Sequence, residues 1–240
     1  MAETNISVLS FIDMAPNKLG AIEEYSLALS LGLMKKGFFG AVAFTGHIPE
    51  WMRNRFNAEN VEILEIGYNG VSRIKFIHKL KEIIFKYNIN ILHATFFPIY
   101  SLRLILSCIG NRCLLVHSDQ DSRLTRPKKN ILIPLRVLKN KLLQTFINSI
   151  IADADFIAKC QIQDFNMCPD KIKIIYNGVN TDRFYRNSKV KKDFFYKEFG
   201  LPINAKIVVT IAQLIPGKGL DYLLDAAYKI NKDNPNAYFF

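Results

Sequence analysis

The clearest anion-binding group in the sequence is Lys218, which stands between Gly217 and Gly219. An apolar run typical of a β-strand precedes it, and an amphipathic helical pattern follows it. The start of a helix favours negative charge because of its free N–H groups and its dipole, and a lysine adds a charge-assisted contact. Lys218 is therefore a candidate for contact with an anion. A solvated lysine at the start of a helix is the alternative interpretation.

Two further loops carry groups that could bind a ligand. Gly20 precedes the first predicted helix and Ala21 begins it, where an anion would be favoured and where simple capping by Gly20 is equally open. His117 closes a predicted strand and is followed by Ser118 and Asp119. Open α/β sheets bind ligands at the carboxyl ends of their strands, so these polar groups could hydrogen-bond to a ligand. A capped strand end with a structural role is the alternative.

The elements that must position these residues alternate between short β-type runs and helical patterns. Strands bridged by helices imply right-handed crossovers and a mostly parallel, doubly wound sheet, so the predicted fold class is α/β. We predict strands at 5–12, 61–66, 89–95 and 113–118, further strands in the runs FGAVAFT, SIIADADFIAKC and KIKIIYNG, and helices at 21–36, 71–87, 99–109 and 190–199.

The last part of the chain continues this alternation without completing it. Residues 206–240 are predicted to form a strand, a glycine-rich turn, a helix and a further strand, which together bury too little area for a domain. We therefore predict an N-terminal domain over 1–185, a linker with a helix over 186–205, and the incomplete start of a second domain over 206–240. The chain is expected to be the front part of a longer protein.

The chain is strongly basic, with 32 Lys and Arg residues against 21 Asp and Glu residues and a formal net charge of +11. Such an excess favours an anionic partner. The segment 122–152 contains basic and apolar residues and no acidic one. It is predicted to lie on an anionic membrane surface, with a solvated helix packed on the sheet as the alternative. Nucleic acid is not a predicted partner, because no recognition motif accompanies the charge.

The cysteines and histidines do not suggest a metal site. The four cysteines lack C-x-x-C spacing, and the four histidines are scattered singly. Reduced, buried thiols in a cytosolic protein are the favoured interpretation. The N-terminus carries Glu3 and Asp13 where a signal peptide would be basic and then apolar, so we predict a cytoplasmic location. Glu23 is interpreted as a partner of a helix dipole and His93 as a structural residue.

Several stretches form a pattern together that none forms alone. In chain order they are PNKLGAIEEYSLALSLGLMKKGF, INILHAT, DADFIAKCQIQDF, KIKIIYNGVNTDRF and VVTIAQLIPGKGLDYLLDAA. They resemble the motifs GGxE…LA..L…GH, DvvHaH, aD.iiavS, vipNGVD…F and vGRL…KGvdlLleA of the retaining glycosyltransferases of family four. The resemblance covers nearly the whole chain, and the motifs occur in the family's order.

The resemblance implies a GT-B fold, in which two Rossmann-like domains face each other. The first domain would hold mainly the acceptor, and the second, only begun here, would hold mainly a nucleoside-diphosphate sugar. Lys218 matches the family lysine that contacts the donor phosphates, and Gln213 stands where the family usually has arginine. Gly20 and Ala21 match the family's Gly-Gly loop at the donor. His117 matches a histidine that is often near the sugar and the acceptor, and is assigned a catalytic positioning role.

The resemblance also implies a turn near the cleft, at Asn177 and Gly178. No metal or other cofactor is expected besides the donor itself, because fixed cations and helix ends can offset the charge of a diphosphate. The family's later acidic motif, two glutamates in the second domain, does not occur in this sequence. The chain by itself is therefore expected to be inactive.

The predicted function is transfer of a sugar from a nucleoside-diphosphate sugar to a glycan or lipid-linked acceptor, with retention of configuration. The expected setting is synthesis of cell-surface polysaccharide or lipopolysaccharide, in the cytoplasm or on the inner face of the membrane. Two alternatives stay open. One is a non-catalytic carbohydrate-binding or scaffold remnant, which the loss of arginine at Gln213 favours. The other is a GT-B epimerase that acts on nucleotide sugars, against which the stretches NGVN and GKG argue.

Overall fold

The chain forms two compact units, Met1–Gly178 and Val179–Phe240. The computed structural model describes residues 5–67, 70–120, 133–182 and 192–240. The predicted domain limits at 185 and 205 stay predictions, because the first of them falls outside the described residues. The predicted membrane-binding segment 122–152 also lies outside them as far as residue 132.

The first unit is built on a sheet of seven parallel strands. Their order is β3-β2-β1-β4-β5-β6-β7, so the direction in which strands are added reverses between β1 and β4. This confirms the predicted α/β class and the doubly wound parallel sheet. The strands are β1 (Ser7–Ile12), β2 (Phe39–Phe44), β3 (Glu62–Glu65), β4 (Ile91–Thr95), β5 (Leu114–Asp119), β6 (Ser149–Ala152) and β7 (Ile172–Ile174).

Helices follow the strands, mostly as predicted. The run SIIADADFIAKC was wrongly predicted to be a strand throughout, since the strand ends at Ala152 and a helix begins at Asp155. They are α1 (Ala21–Met34), α2 (Glu50–Asn57), α3 (Arg73–Lys86), α4 (Leu102–Cys108), α5 (Ile133–Leu143) and α6 (Asp155–Phe165). α3 begins two residues later than predicted because Ser72 caps it, its hydroxyl accepting the N–H of Lys75 at 3.3 Å. α2 was not predicted, because this short and mostly polar helix turns only Met52 and Phe56 into the core.

The two faces of the sheet carry separate apolar clusters. On one face, Leu27 of α1 packs with Val42 of β2. On the other face, Leu80 of α3 and Ile105 of α4 form a larger cluster with Phe11 of β1. The middle of the sheet is therefore covered on both sides, as is usual for parallel strands linked by helices.

The second unit contains the strand, turn, helix and strand predicted over 206–240. It begins with α7 (Lys192–Glu198), and β8 (Lys206–Val208) pairs in parallel with β9 (Ala237–Phe239) through the connecting helix α8 (Leu220–Asp233). The apolar side of α8 is only partly covered in this unit. Leu224 and Tyr228 are 68% and 66% exposed, whereas Leu220, Leu223 and Ala227 are half-buried.

A glycine in β2 sets how closely α1 approaches the sheet. A Cβ atom placed on Gly40 would lie 2.9 Å from the Cα of Ser30 and 3.2 Å from the Cδ1 of Leu33. Gly40 and Ser30 are both buried, and a backbone atom cannot move aside without shifting its helix. Any side chain at Gly40 would therefore push α1 away from β2.

We predict that Gly40→Ala lowers the free energy of unfolding by about 1–3 kcal/mol, because the added methyl group overpacks this contact. The midpoint and slope of urea unfolding measure the change. The matched control is Gly32→Ala on the exposed side of α1, where an added Cβ meets no atom within 4 Å. That variant should be unchanged or more stable by up to about 1 kcal/mol, since alanine favours helix. Equal losses in both variants would contradict the packing argument.

Candidate functional site

The carboxyl ends of the central strands meet where the strand order reverses. In the register of the sheet, Ile12 of β1 lies beside Thr95 of β4, and Thr95 lies beside Ser118 of β5. Just beyond β1, the N–H of Asp13 donates to the carbonyl of Thr95 at 3.0 Å, and the hydroxyl of Thr45 donates to the carboxylate of Asp13 at 2.8 Å. Reversal points of this kind separate the neighbouring loops, and open α/β sheets bind their ligands there.

The start of α1 lies at this edge, and a side chain of the helix itself accepts a hydrogen bond from the N-cap residue. Gly20 is the N-cap residue, and its N–H donates to Oε2 of Glu23 at 3.0 Å. Ala21 is the first helical residue and is exposed. Glu23 is 1% exposed, and among the described residues its Oε1 has no hydrogen-bond partner. The N–H of Gly20 is thus already bonded within the loop, whereas Glu23 is a buried carboxylate with an unused oxygen.

Two buried histidines lie beneath the edge. Nε2 of His93 lies 2.6 Å from Oγ of Ser118. His117 is 1% exposed, and its Nε2 has no hydrogen-bond partner within the described ranges. Burial lowers the pKa of each imidazole to about 4, and the proximity of His93 adds to the shift of His117. Both side chains are therefore neutral at pH 7.

His117 lies inside β5 instead of closing it. The strand continues to Asp119 because its pairing with β6 continues to Ala152. Ala94 pairs with His117 and Thr95 with Ser118, so His117 and Ser118 point to opposite faces of the sheet. Ser118 and Asp119 line a cavity at the edge, and His117 is not among its described lining residues. A catalytic contact of His117 with a sugar stays a prediction.

The larger cavity at this edge, here called the β4–β5 cavity, has a volume of about 290 Å³. The loop after β4, the end of β5 and α6 line it, with Phe96, Phe97, Ser118, Asp119, Cys160 and Asp164 among its residues. Gln161 of α6 is fully buried, and its side-chain amide donates to the carboxylate of Asp119. Oε1 of Gln161 has no hydrogen-bond partner in the described part of the chain. The cavity therefore joins aromatic rings to carboxylates, one of which a buried amide holds in place.

A smaller cavity of about 40 Å³ lies beyond β5, β6 and β7. Tyr25 of α1, Ser118, Asn177 and Gly178 are among its lining residues. The side-chain amide of Asn177 donates to the carboxylate of Asp153 at 3.2 Å, which fixes one wall. The structure thus brings the predicted residue Ser118 together with the predicted turn at Asn177 and Gly178.

The other predicted site residues lie in the second unit. Lys218 ends a 3-10 turn, Pro216–Lys218, and Gly219 follows as the N-cap residue of α8. Gly219 has φ 66°, a left-handed conformation that favours glycine and allows the chain to turn into the helix. Lys218 and Gln213 are both exposed. Lys218 therefore stands directly before a helix start, as its sequence context predicted.

Several residues at the first-unit cavities were not found by the sequence interpretation, among them the lining residues Phe96 and Tyr25 and the buried Gln161 that contacts Asp119. Phe96 and Tyr25 carry ordinary apolar patterns, and neither residue type marks a site by itself. Gln161 offered a signal, since it shares a helix face with Ile157 and Ala158, both buried. A polar residue on the apolar face of a helix has to be hydrogen-bonded inside the protein, and this one is bonded at a cavity wall.

Within the described residues, no group of three or more His, Cys, Asp and Glu side chains is arranged to hold a metal ion. The expectation that no metal or cofactor takes part stays a prediction. No helix in the described part of the chain has both the length and the apolar character needed to cross a bilayer.

Comparison with known proteins gives a family match over most of the first unit. The family model described as Glycosyltransferase Family 4 matches residues 22–183. An uncharacterized glycosyltransferase of Methanocaldococcus jannaschii, MJ1607, is 37% identical over 67 residues, which is 28% of this chain and 17% of that protein.

Solved structures share the fold at low sequence identity. A glycosyltransferase from Rickettsia africae is similar with a TM-score of 0.74 and 16% identity, over 98% of this chain and 68% of that one. HepE (Alr3699) of Anabaena in complex with UDP is similar with a TM-score of 0.70 and 17% identity, over 98% and 60%. A UDP-GlcNAc 2-epimerase from Neisseria meningitidis, bound to UDP-GlcNAc, has a lower TM-score of 0.56 at 14% identity, over 98% and 64%. The chain thus spans 60–68% of the length of these solved proteins.

The buried histidines make stability depend on pH. The pKa values of His93 and His117 are about 4 in the folded protein, against about 6.5 in an unfolded chain. Between these two values the unfolded chain binds protons that the folded protein does not. We therefore predict that the free energy of unfolding is fully retained above pH 6.5 and falls as the pH is lowered towards 4. Urea unfolding at a series of pH values measures this fall.

His117→Gln removes one of these titrating groups and should reduce the acid loss by up to roughly 3 kcal/mol. His78→Gln is the matched control, because His78 lies exposed on α3. It should leave the pH dependence unchanged. An identical pH profile for the wild type and His117→Gln would contradict the prediction.

Proposed function

The chain belongs to glycosyltransferase family 4, and we propose that it supplies the acceptor-side unit and the beginning of the donor-side unit of a transferase. In this proposal the full-length protein moves a sugar from a nucleoside-diphosphate sugar to a glycan or lipid-linked acceptor, with retention of configuration. The observation that carries the proposal is the family match over residues 22–183, which includes all described lining residues of the two cavities at the sheet edge.

The diphosphate of the donor is proposed to bind at Lys218. This exposed lysine precedes α8, whose N–H groups and dipole favour an anion at the helix start. Gln213 can donate a hydrogen bond to a phosphate oxygen, but it brings no charge and no fork of donors. The Anabaena protein of similar fold was solved with UDP, which supports a uridine nucleotide as the donor carrier here.

The proposed reaction uses the donor's own phosphate as the base. The acceptor hydroxyl oxygen forms the new bond to the anomeric carbon, the bond from that carbon to the phosphate oxygen breaks, and the hydroxyl proton passes to the leaving phosphate. The protein's share is then to position the two substrates and to stabilise the separating charge. His117, being neutral at pH 7, would act by positioning and not as an acid.

The second candidate is a non-catalytic carbohydrate-binding protein, which the neutral Gln213 favours, since it weakens the case for tight phosphate binding. An epimerase is less well supported, because the family match is to glycosyltransferases. Incubation of the full-length protein with UDP-glucose or UDP-GlcNAc and an acceptor glycan separates these functions. Transfer yields an elongated glycan, epimerisation yields a new nucleotide sugar, and a binding protein yields neither.

A peripheral position on an anionic membrane is proposed from the surface of α5. Leu135, Leu138 and Leu142 are 63%, 56% and 61% exposed, and their spacing places them on one side of the helix. Lys139 and Lys141 are exposed on the same helix. Exposed leucines beside lysines suit the interface of a bilayer, where apolar groups enter and each basic residue adds about 1 kcal/mol. This location would suit a lipid-linked acceptor in polysaccharide or lipopolysaccharide synthesis at the inner face of the membrane.

For the donor site, we predict that Lys218→Gln in the full-length protein raises the KM for the nucleotide sugar roughly 10- to 100-fold, since a charge-assisted hydrogen bond contributes about 1.5–3 kcal/mol. Initial rates at a series of donor concentrations measure this. Lys229→Gln is the matched control, because Lys229 is an exposed lysine of α8 away from the helix start. A similar rise of KM in both variants would show that only general charge matters.

For the membrane surface, we predict that replacing Leu138 and Leu142 with Gln reduces the bound fraction on phosphatidylglycerol-containing vesicles about tenfold. The reason is that two leucine side chains would no longer enter the apolar part of the bilayer. Flotation of the full-length protein with these vesicles, compared with neutral phosphatidylcholine vesicles, measures binding. Trp51→Gln is the control, since Trp51 is 48% exposed on α2. Unchanged flotation of the double leucine variant would place the membrane contact elsewhere or exclude it.

A further inference from the structure

We propose that the β4–β5 cavity binds one pyranose ring of the acceptor, with Phe96 as its apolar platform and Asp119 and Asp164 as hydrogen-bond acceptors at its rim. This inference rests on the proposed transferase function and adds the class of ligand: an uncharged sugar ring, in preference to a phosphorylated one.

The backbone of Phe96 is the first observation. Phe96 has φ 65°, a left-handed conformation that is strained for a bulky side chain. Several other described residues with positive φ are asparagines, which adopt this region more readily. Strain of this kind persists only where the surrounding structure imposes it, and it concentrates at binding sites. At Phe96 it follows directly after β4, at the edge of the sheet where the strand order reverses.

The exposure of Phe96 is the second observation. Its neighbour Phe97 is packed against Phe11 in the core, with ring centroids 4.7 Å apart. Both rings line the cavity, but Phe96 has no such core partner among the described ring contacts and is 39% exposed. Neither full burial nor a favourable backbone conformation therefore explains the ring. A half-exposed aromatic face beside a cavity matches the apolar C–H face of a sugar.

The chemistry of the remaining wall is the third observation. Asp119 and Asp164 line the cavity together with Ser118, and none of the described lining residues is basic. Carboxylates accept hydrogen bonds from sugar hydroxyls and repel a phosphate. The volume of about 290 Å³ lies at the lower end of the range of small-molecule sites, roughly 300–1,000 Å³, which suits one ring.

The wall is also held rigidly, which lowers the cost of binding. The side-chain amide of Gln161 donates to Asp119 from inside the protein. At the end of α6, the carbonyl of Phe165 accepts the hydroxyl of Tyr100 at 2.8 Å and the amide of Asn140 at 3.1 Å. These bonds fix α6, and with it Asp164, before a ligand arrives.

Phe96→Gly tests the proposal because it separates stability from binding. Glycine relieves the left-handed backbone and removes the ring. We expect the thermal midpoint to stay equal or rise, while the Kd for a neutral pyranoside rises at least tenfold. The probes are methyl β-D-glucopyranoside, methyl α-D-mannopyranoside and methyl β-D-galactopyranoside, titrated into the full-length protein and followed by saturation-transfer NMR. Glucose 6-phosphate is the charged probe and should bind more weakly than the neutral rings.

Asn88→Gly is the matched control, since Asn88 has φ 48° and is exposed at the end of α3, outside the cavity. It introduces glycine at another left-handed position, where asparagine has less strain to relieve, and should leave sugar binding unchanged. Asp164→Asn is the second variant, and it keeps the test valid if Phe96→Gly fails to fold. It should weaken binding of the neutral ring several-fold and reduce the discrimination against glucose 6-phosphate.

UDP binding is measured by calorimetry on the same proteins. It distinguishes a failure of the transferase function from a failure of the acceptor subsite. Unchanged UDP affinity with lost pyranoside binding in Phe96→Gly supports the acceptor subsite. Saturable, Phe96-dependent pyranoside binding without UDP binding or sugar transfer would overturn the transferase function and leave the sugar site standing. The subsite itself is overturned if no neutral pyranoside saturates the wild type, or if both cavity variants bind as the wild type does.

Discussion

The register that joins β1, β4 and β5 determines the arrangement of the first unit. Ile12, Thr95 and Ser118 lie side by side, so β1 and β4 end at the same register position and β5 ends one residue later. The strand order reverses between β1 and β4. The connection after β1 therefore leads towards β2, and the connection after β4 leads in the opposite direction, towards β5. The loops after β1 and β4 are therefore separated by a gap, and the β4–β5 cavity lies beside this gap. A shift of one residue would exchange Ser118 for His117 at the edge and turn every side chain of β5 to the opposite face.

Charge is distributed unevenly over this architecture. The sequence carries an excess of basic residues, yet the described lining of the β4–β5 cavity is acidic and the two histidines beneath the edge are neutral. Exposed lysines lie on α5 and before α8 instead. Anionic partners and an uncharged ring would therefore be attracted to different surfaces. With this distribution of charge, an anionic partner and an uncharged ring would not compete for the same surface.

Much of the architecture followed from periodicity, because alternating strands and helices leave few topologies for a parallel sheet. The position of Lys218 before a helix could also be predicted from the sequence, since glycine, lysine and the amphipathic pattern of α8 are local signals. The position of His117 was not, because the length of β5 depends on its pairing with β6, which is a long-range contact. The conformation of Phe96 was also hidden, as tertiary structure imposes it against the local preference of the residue. Gln161 was overlooked although its helix face offered a clue.

The presence of Cys160 in the wall of the β4–β5 cavity gives the protein a native chemical handle. Cys108 and Cys113 are buried, whereas Cys160 is partly accessible and Cys168, also partly accessible, is not among the described lining residues. A thiol-reactive dye or a sugar carrying an activated disulfide would therefore reach the cavity without any engineered residue. The rate at which Cys160 is alkylated, compared with Cys168 in the same sample, would report occupancy of the cavity while the protein works.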